Sequence, residues 1–219
     1  MFVSSLALYL SLRSVPVLQQ ADSKVPFIRT FTAGEIERYS LEFDRAGAGP
    51  HFKTRIKSSV LAPPVGTSPA SLSLETSEYE VIKGSGGSPA TIKVESTRHN
   101  LMSGLSMDGK DYVITLFTFA GFTPDKPIKE GDTFVVEWKS SKGDVKAHGR
   151  GEIEVVNLKK MTVGTHLKIS FTIDKNLPLG TAEFHSVSDL TTGALKRSEG
   201  EFGVPKLKYK IKISTDLGA

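Results

Sequence analysis

Apolar and polar residues alternate with a period of two along most of this 219-residue chain. The clearest example is HLKISFTID, residues 166 to 174, in which every second side chain is apolar up to Ile173. Successive side chains of a β-strand point to opposite faces of the sheet, so this period is typical of strands with one buried face. No stretch has the 3.6-residue period of a long amphipathic helix. The pattern predicts an all-β protein, with an antiparallel curved sheet or half-barrel.

The segment FTPDKPIKEGDTFVVEW, residues 122 to 138, divides this strand pattern in two. Its two prolines cannot donate hydrogen bonds to a sheet, so they separate the preceding strands from the strand that carries the single tryptophan. We predict one β domain over residues 22–219, with sub-halves 27–120 and 128–215 joined by residues 121–132. Each half would contain about five strands. A faint likeness between GEIERYSLEF and GDTFVVEWKS is compatible with a duplication, and equally with chance.

A further strand and a hairpin are predicted from shorter patterns. YVITLFTF, residues 112 to 119, is apolar on both faces, which favours a central strand covered on both sides. Residues 27–32 are predicted to form a hairpin with residues 36–44, across the turn at Ala33 and Gly34.

The N-terminal segment FVSSLALYLSL, residues 2 to 12, is apolar but too short to cross a bilayer. Ala21 follows it at a position where a signal peptidase could cut. We therefore predict a signal peptide over residues 1–21 and an exported protein, periplasmic or extracellular. An ordinary N-terminal strand or helix within the core is the alternative.

The composition and motifs exclude several classes of function. The chain has no cysteine, so thiolate metal sites and a cysteine nucleophile are not available. A net charge of +4 that is spread evenly does not favour nucleic acid as a partner. Residues 104–108 approach a nucleophile elbow but lack its second glycine, and the glycines at 84–87 lack the Lys-Ser/Thr pair of a P-loop. The sequence predicts no catalytic residue, no cofactor and no enzymatic activity.

The histidines raise the question of a metal site. If residues 166–174 and 181–189 pair as a hairpin, His166, His185 and Glu183 share its polar face, with His166 near Asp189 and His185 near Ser170. A structural site needs about four convergent ligands, however, and no H-x-H or H-E-x-x-H signature is present. The pattern favours exposed hairpin histidines and no metal site.

A row of lysines stands out near the C-terminus in KLKYKIKIS. Its four lysines share one face of a predicted strand, and we call them the lysine ladder: Lys206, Lys208, Lys210 and Lys212. They form either an ordinary solvated face, or an edge strand protected from pairing with another chain, or a contact with an anionic envelope surface such as acidic lipid or wall polymer.

Two segments, PDKPIKEGDTFVVEW and GTAEFHSVSDLTTGALKRSEG, resemble an uncharacterised group of exported bacterial β-rich proteins with the segment P-x-K-P-[IV]-x-x-G-D-x-[WF]. Phe134 stands where that group more often has tryptophan. The resemblance implies an extracytoplasmic β-protein of unknown activity. More distantly, the chain resembles the curved open sheets of periplasmic lipoprotein carriers and related lipid-binding envelope proteins.

Pattern and resemblance together favour a non-enzymatic binding or carrier module for an apolar ligand, a small molecule or a lipid. A structural envelope protein that contacts other proteins is the alternative. A metal-dependent hydrolase is a remote third alternative, because the sequence offers too few metal ligands.

Overall fold

The computed structural model describes residues 24–45, 49–84, 89–96, 102–103, 111–124, 126–173, 177–205 and 207–215. The predicted signal peptide, residues 1–21, and the elbow-like residues 104–108 lie outside these ranges. Eleven strands and one helix occupy the described residues: β1 Ile36–Arg45, β2 His51–Ala62, β3 Ala70–Lys83, β4 Ala90–Ser96, β5 Met102–Ser103, α1 Asp111–Ala120, β6 Thr133–Lys139, β7 Val145–Asn157, β8 Thr162–Ile173, β9 Leu177–Asp189, β10 Leu195–Val204 and β11 Leu207–Thr215.

All eleven strands belong to one antiparallel sheet, in the order β5-β4-β3-β2-β1-β11-β10-β9-β8-β7-β6. Strands β1 to β5 form one meander and β6 to β11 a second, and the two are joined by the pairing of β1 with β11. Over the described residues, β5 and β6 remain at opposite edges, so the sheet is open. The predicted all-β, antiparallel fold is confirmed. A common origin of the two meanders stays a hypothesis.

One face of the sheet is buried, and it consists of the alternate apolar residues that the sequence pattern predicted. In β6, Phe134, Val136 and Trp138 are buried, whereas Val135 between them is 62% exposed. Strand β8 follows the same rule, with Leu167 and Ile169 buried. Burying one such side chain contributes about 1.5–3 kcal/mol, so the face as a whole provides the main driving force for folding. We call it the buried face, and the opposite side the outer face.

Residues 111–120 form helix α1, so the prediction of a central strand at residues 112–119 was wrong. A short run that is apolar throughout fits a buried helix as well as a buried strand, because periodicity does not separate the two. Residues 113–120 are all buried. The ring of Phe117 contacts Tyr39 on β1, and the ring of Phe119 contacts Trp138 on β6 and Phe171 on β8. The helix therefore lies across the buried face.

Residues 27–32 form no strand, which corrects the predicted hairpin with β1. The segment is held by separate contacts instead. Val25 and Ile128 exchange two backbone hydrogen bonds of 2.8 Å, and the Thr30 amide donates to the Thr192 carbonyl at 2.9 Å. Phe27 is fully buried between these anchors. These contacts attach the segment to the rest of the protein without a ladder to β1.

None of the helical segments in the described ranges combines the length and apolarity needed to span a bilayer.

We expect Phe119→Ala to lower the free energy of unfolding by about 3–5 kcal/mol, because the change leaves a cavity between α1, Trp138 and Phe171. Val135→Ala is the matched control, since this side chain is exposed and its truncation should change stability by less than about 0.5 kcal/mol. Urea unfolding followed by circular dichroism measures both values. Equal small effects would contradict the packing of α1 on the sheet.

Candidate functional site

Aromatic rings form a continuous row across the buried face. Neighbouring ring centroids lie 4.9–5.9 Å apart, within the range of favourable aromatic pairs. The row then continues through Phe119 of α1 to Trp138 on β6. We call the six sheet rings the aromatic row: Tyr79, Phe52, Phe43, Tyr209, Phe202 and Phe171.

An open groove lies beside Phe202 and Tyr209 of this row, at the rim of the sheet where β9, β10 and β11 meet. Its volume is about 530 Å³, within the roughly 300–1,000 Å³ of small-molecule sites. Five of its side chains are apolar, and Lys208 supplies a charge. We call it the rim groove, and its lining residues are Pro178, Leu179, Gly180, Thr181, Gly203, Val204, Pro205, Leu207 and Lys208.

The strand register connects the rim groove to the aromatic row. Val204 pairs with Leu207, and two residues further along both strands Phe202 pairs with Tyr209. Side chains two residues apart share a face, so Val204 and Leu207 lie on the buried face next to the two rings. Val204 and Tyr209 are only partly buried, and both pack against the core. The groove is therefore an apolar opening onto the edge of the core.

Close strand contact below the groove requires glycine. A Cβ atom at Gly180 would lie 2.4 Å from the carbonyl oxygen of Gly203, closer than any side chain tolerates. Glycine at this position lets β9 and β10 approach at the groove floor. The sequence did not predict this site, because the approach of Gly180 to Gly203 depends on the register of β9 against β10.

Helix α1 fills the middle of the buried face. Residues 113–124 are all buried among the described side chains, and Ile114 and Thr115 have no exposed surface. A face that is filled by the protein's own side chains is the arrangement expected of a scaffold, whereas a carrier needs room for a ligand. The rim groove, by contrast, is open apolar volume that α1 does not fill.

A buried ionic cluster ties the N-terminal segment to β1. The Arg29 side chain lies 2.8 Å from Glu37 and 3.3 Å from Glu35, and its guanidinium stacks over the Phe31 ring at 4.5 Å. Burial raises the pKa of the Glu37 carboxyl, although the Arg29 charge opposes this, and burial raises the pKa of Tyr39 well above its usual value. The adjoining cavity of about 20 Å³ is too small for a ligand. We interpret the cluster as structural.

The lysines of the ladder that the structure describes lie on the outer face in the centre of the sheet. Lys206 is outside the described residues, and Lys208, Lys210 and Lys212 are exposed on one face of β11 as predicted. Strand β11 pairs with β1 on one side and β10 on the other, so the interpretation as an edge strand was wrong.

Carboxylates border two of these lysines. Lys210 lies opposite Asp44 on β1 and Glu201 on β10, and Lys212 lies opposite Glu42 and Glu199. Opposite charges across a ladder contribute roughly 0.2–1 kcal/mol per pair, so the sheet itself provides anionic partners. Contact between the ladder and an external anionic surface stays a prediction.

This hypothesis predicts that changing all four ladder lysines to glutamine reduces retention on anionic liposomes at low salt, and that high salt releases the parent protein. The matched control is Glu199→Gln with Glu201→Gln, which removes neighbouring negative charge and should increase retention. Co-sedimentation measures all three proteins. Equal retention of the parent and the lysine variant at low salt would leave the ladder without a role in surface binding.

The histidine register differs from the prediction. His166 lies directly opposite His185, whereas Asp189 lies opposite Thr162 and Ser170 opposite Thr181. The predicted neighbours were wrong because β9 begins at Leu177, earlier than the alternation indicated, and an irregularity follows Phe171. The two imidazole rings stack with centroids 4.1 Å apart. Glu154 on β7 adjoins both rings.

Glu183 belongs to the same outer-face cluster. Its Oε1 lies 2.7 Å from His166 Nε2, and the hydrogen bond from His166 holds the pKa of the Glu183 carboxyl below its usual value. Lys168 lies 3.3 Å from the same oxygen. The predicted sharing of one polar face by His166, His185 and Glu183 is therefore observed.

Comparison with known proteins gives loose structural matches only. No family model matches the sequence, and no curated protein matches it. A protein from Bacteroides fragilis, described as exported with a YmcC-like fold, is 11% identical, with 87% of this chain and 98% of that chain covered and a TM-score of 0.40. A protein from Parabacteroides distasonis, described as a lipoprotein, is 12% identical, with 89% and 100% covered and a TM-score of 0.41.

A third match is a domain from Vibrio parahaemolyticus that is described as an outer membrane lipoprotein-sorting protein domain. It is 11% identical, with 83% of this chain and 82% of that chain covered and a TM-score of 0.25. Superpositions this loose identify neither a family nor an activity. The predicted motif-based resemblance to exported β-rich proteins stays a prediction.

Proposed function

We propose that this protein is a non-enzymatic binding or carrier module that holds an apolar ligand at the rim groove. The observation that supports it is the continuity between the groove and the core. Val204 and Leu207 line the groove and adjoin Phe202 and Tyr209 of the aromatic row. A ligand in the groove would cover partly exposed apolar side chains that already border the protein interior.

The physical chemistry of the groove favours an amphiphile. Burial of each methylene contributes about 0.8 kcal/mol, so a long acyl or other hydrocarbon chain gains most from this lining. Lys208 lies at the groove's outer side, and its partner on β10 is Gly203 rather than a carboxylate. A positive charge beside an apolar groove suits a lipid or small molecule with an anionic head.

Export is part of the same proposal. It is supported by the apolar segment at residues 2–12 followed by Ala21, and by the motif resemblance to exported proteins. A lipid-like ligand is also most readily met in or near an envelope.

A structural envelope protein is the second candidate, and a specific observation favours it. Residues 113–120 of helix α1 occupy the middle of the buried face with side chains that are apolar or threonine, which leaves that region to internal packing. In this alternative the sheet would be a rigid support for protein contacts. The two candidates differ in whether the rim groove binds anything.

The test uses the fluorescent apolar probe 1-N-phenylnaphthylamine with the purified full chain. We expect saturable fluorescence enhancement by the parent, and at least about tenfold weaker binding by Leu207→Glu, because a buried apolar contact is worth about 1.5–3 kcal/mol and a charge opposes apolar binding. Val135→Glu is the matched control, since Val135 is exposed on the distant edge strand β6.

Circular dichroism checks that both variants are folded. Probe binding that is absent in the parent, or that is equal in the parent and Leu207→Glu, would overturn the proposal and favour the structural alternative.

A further inference from the structure

We propose a binding site for a divalent transition metal of the zinc type on the outer face, with Glu154, His166 and His185 as its ligands. The site does not depend on the rim groove, with which it shares no residue. Its ligands come from the adjacent strands β7, β8 and β9. Nitrogen and carboxylate oxygen are ligands that zinc accepts, and three protein ligands leave a position for water.

A strand irregularity brings Glu154 into the site. Ile153 pairs with Thr165 and Val155 with Gly164, so Glu154 is the extra residue of a β-bulge between them. A bulge redirects the side chain it inserts, and bulges of this kind occur beside functional sites. Without it, Glu154 would have a ladder partner of its own instead of reaching towards the two histidines.

The distances fit a single ion. Glu154 Oε1 lies 3.2 Å from His185 Nδ1 and 3.8 Å from His166 Nδ1. One candidate ligand atom from each of the three residues falls within 4.8 Å of the other two. In a tetrahedral zinc site with bonds of 2.0–2.2 Å, ligand atoms are about 3.3–3.6 Å apart. To bind one ion, the two stacked rings would also have to rotate out of parallel, because the lone pair of each nitrogen lies in the plane of its own ring.

Glu183 supplies the supporting contact that such sites use. A histidine that binds a metal through one ring nitrogen usually donates its other N–H to a carboxylate, which fixes the tautomer and the ring orientation. The 2.7 Å contact between Glu183 Oε1 and His166 Nε2 has this form, and it leaves Nδ1 towards Glu154. Lys168, 3.3 Å from Glu183, balances the carboxylate charge.

The surrounding charge also suits a cation. Glu152 lies opposite His166 on β7, and Glu199 lies opposite His185 on β10. With Glu154 and Glu183 they surround two stacked imidazoles that would repel each other if both were protonated. A divalent ion that binds the rings in their neutral form would balance the negative charge of these carboxylates. Oxygen-preferring Mg²⁺ and Ca²⁺ suit a site with two histidines less well.

The test is isothermal titration of zinc chloride into the full chain after chelator treatment and dialysis. We expect one ion per chain, and at least about tenfold weaker binding for His166→Ala or His185→Ala. Glu183→Ala should weaken binding about 10–100-fold, since it removes the supporting acceptor without touching a metal ligand. His148→Ala is the matched control, because His148 is an exposed histidine that also lies near a glutamate, 3.8 Å from Glu137.

A second measurement uses the unaltered protein and so does not depend on how the variants fold. Long-range ¹H–¹⁵N correlation spectra should show zinc shifting Nδ1 of both His166 and His185, with His148 unchanged. Zinc binding that survives both histidine variants, or that His148→Ala weakens equally, would overturn the proposal. Nδ1 signals that stay in place when zinc is added would do the same.

Discussion

The pairing of β1 with β11 is the contact on which the rest of the architecture depends. Each meander can form from strands that are neighbours in sequence, but β1 and β11 come from opposite ends of the described chain. Their register sets Phe43 opposite Ile211 and Arg45 opposite Tyr209. Closing so long a loop costs conformational entropy, and the apolar area buried when two half-sheets become one offsets it.

This pairing determines what each face of the sheet presents. On the buried face it places the ring centroids of Phe43 and Tyr209 4.9 Å apart, so the rings of the first meander contact those of the second. On the outer face it places the lysines of β11 between the acidic residues of β1 and β10. The charges of Lys210 and Lys212 are thus matched within the sheet, while the histidine cluster lies further along the same face.

The strands were predictable from the sequence, whereas the contacts between distant strands were not. Alternation predicted β1 at 36–44, and the structure has Ile36–Arg45. The prediction was close because a strand with one buried face alternates apolar and polar residues along its own sequence. Residues 112–119 were misassigned because a fully buried segment has no polar face to reveal its period.

The candidate sites could not be predicted from local sequence patterns, because they depend on which strands pair and in which register. The His166 and His185 pairing required the exact start of β9, and the bulge at Glu154 has no signature in the local alternation. The central position of β11 required its pairing with β1, so a lysine-rich C-terminal strand was open to interpretation as an edge. The rim groove combines residues of three strands and was not foreseen at all.

Amide hydrogen exchange across β11 tests the central pairing most directly. In an antiparallel sheet, alternate amides of a strand bond to the neighbour on each side, so an inner strand protects successive amides and an edge strand only every second one. We expect continuous protection over residues 209–214, and alternate protection on β6, the edge strand that serves as an internal reference. Alternate protection on β11 would contradict the single sheet.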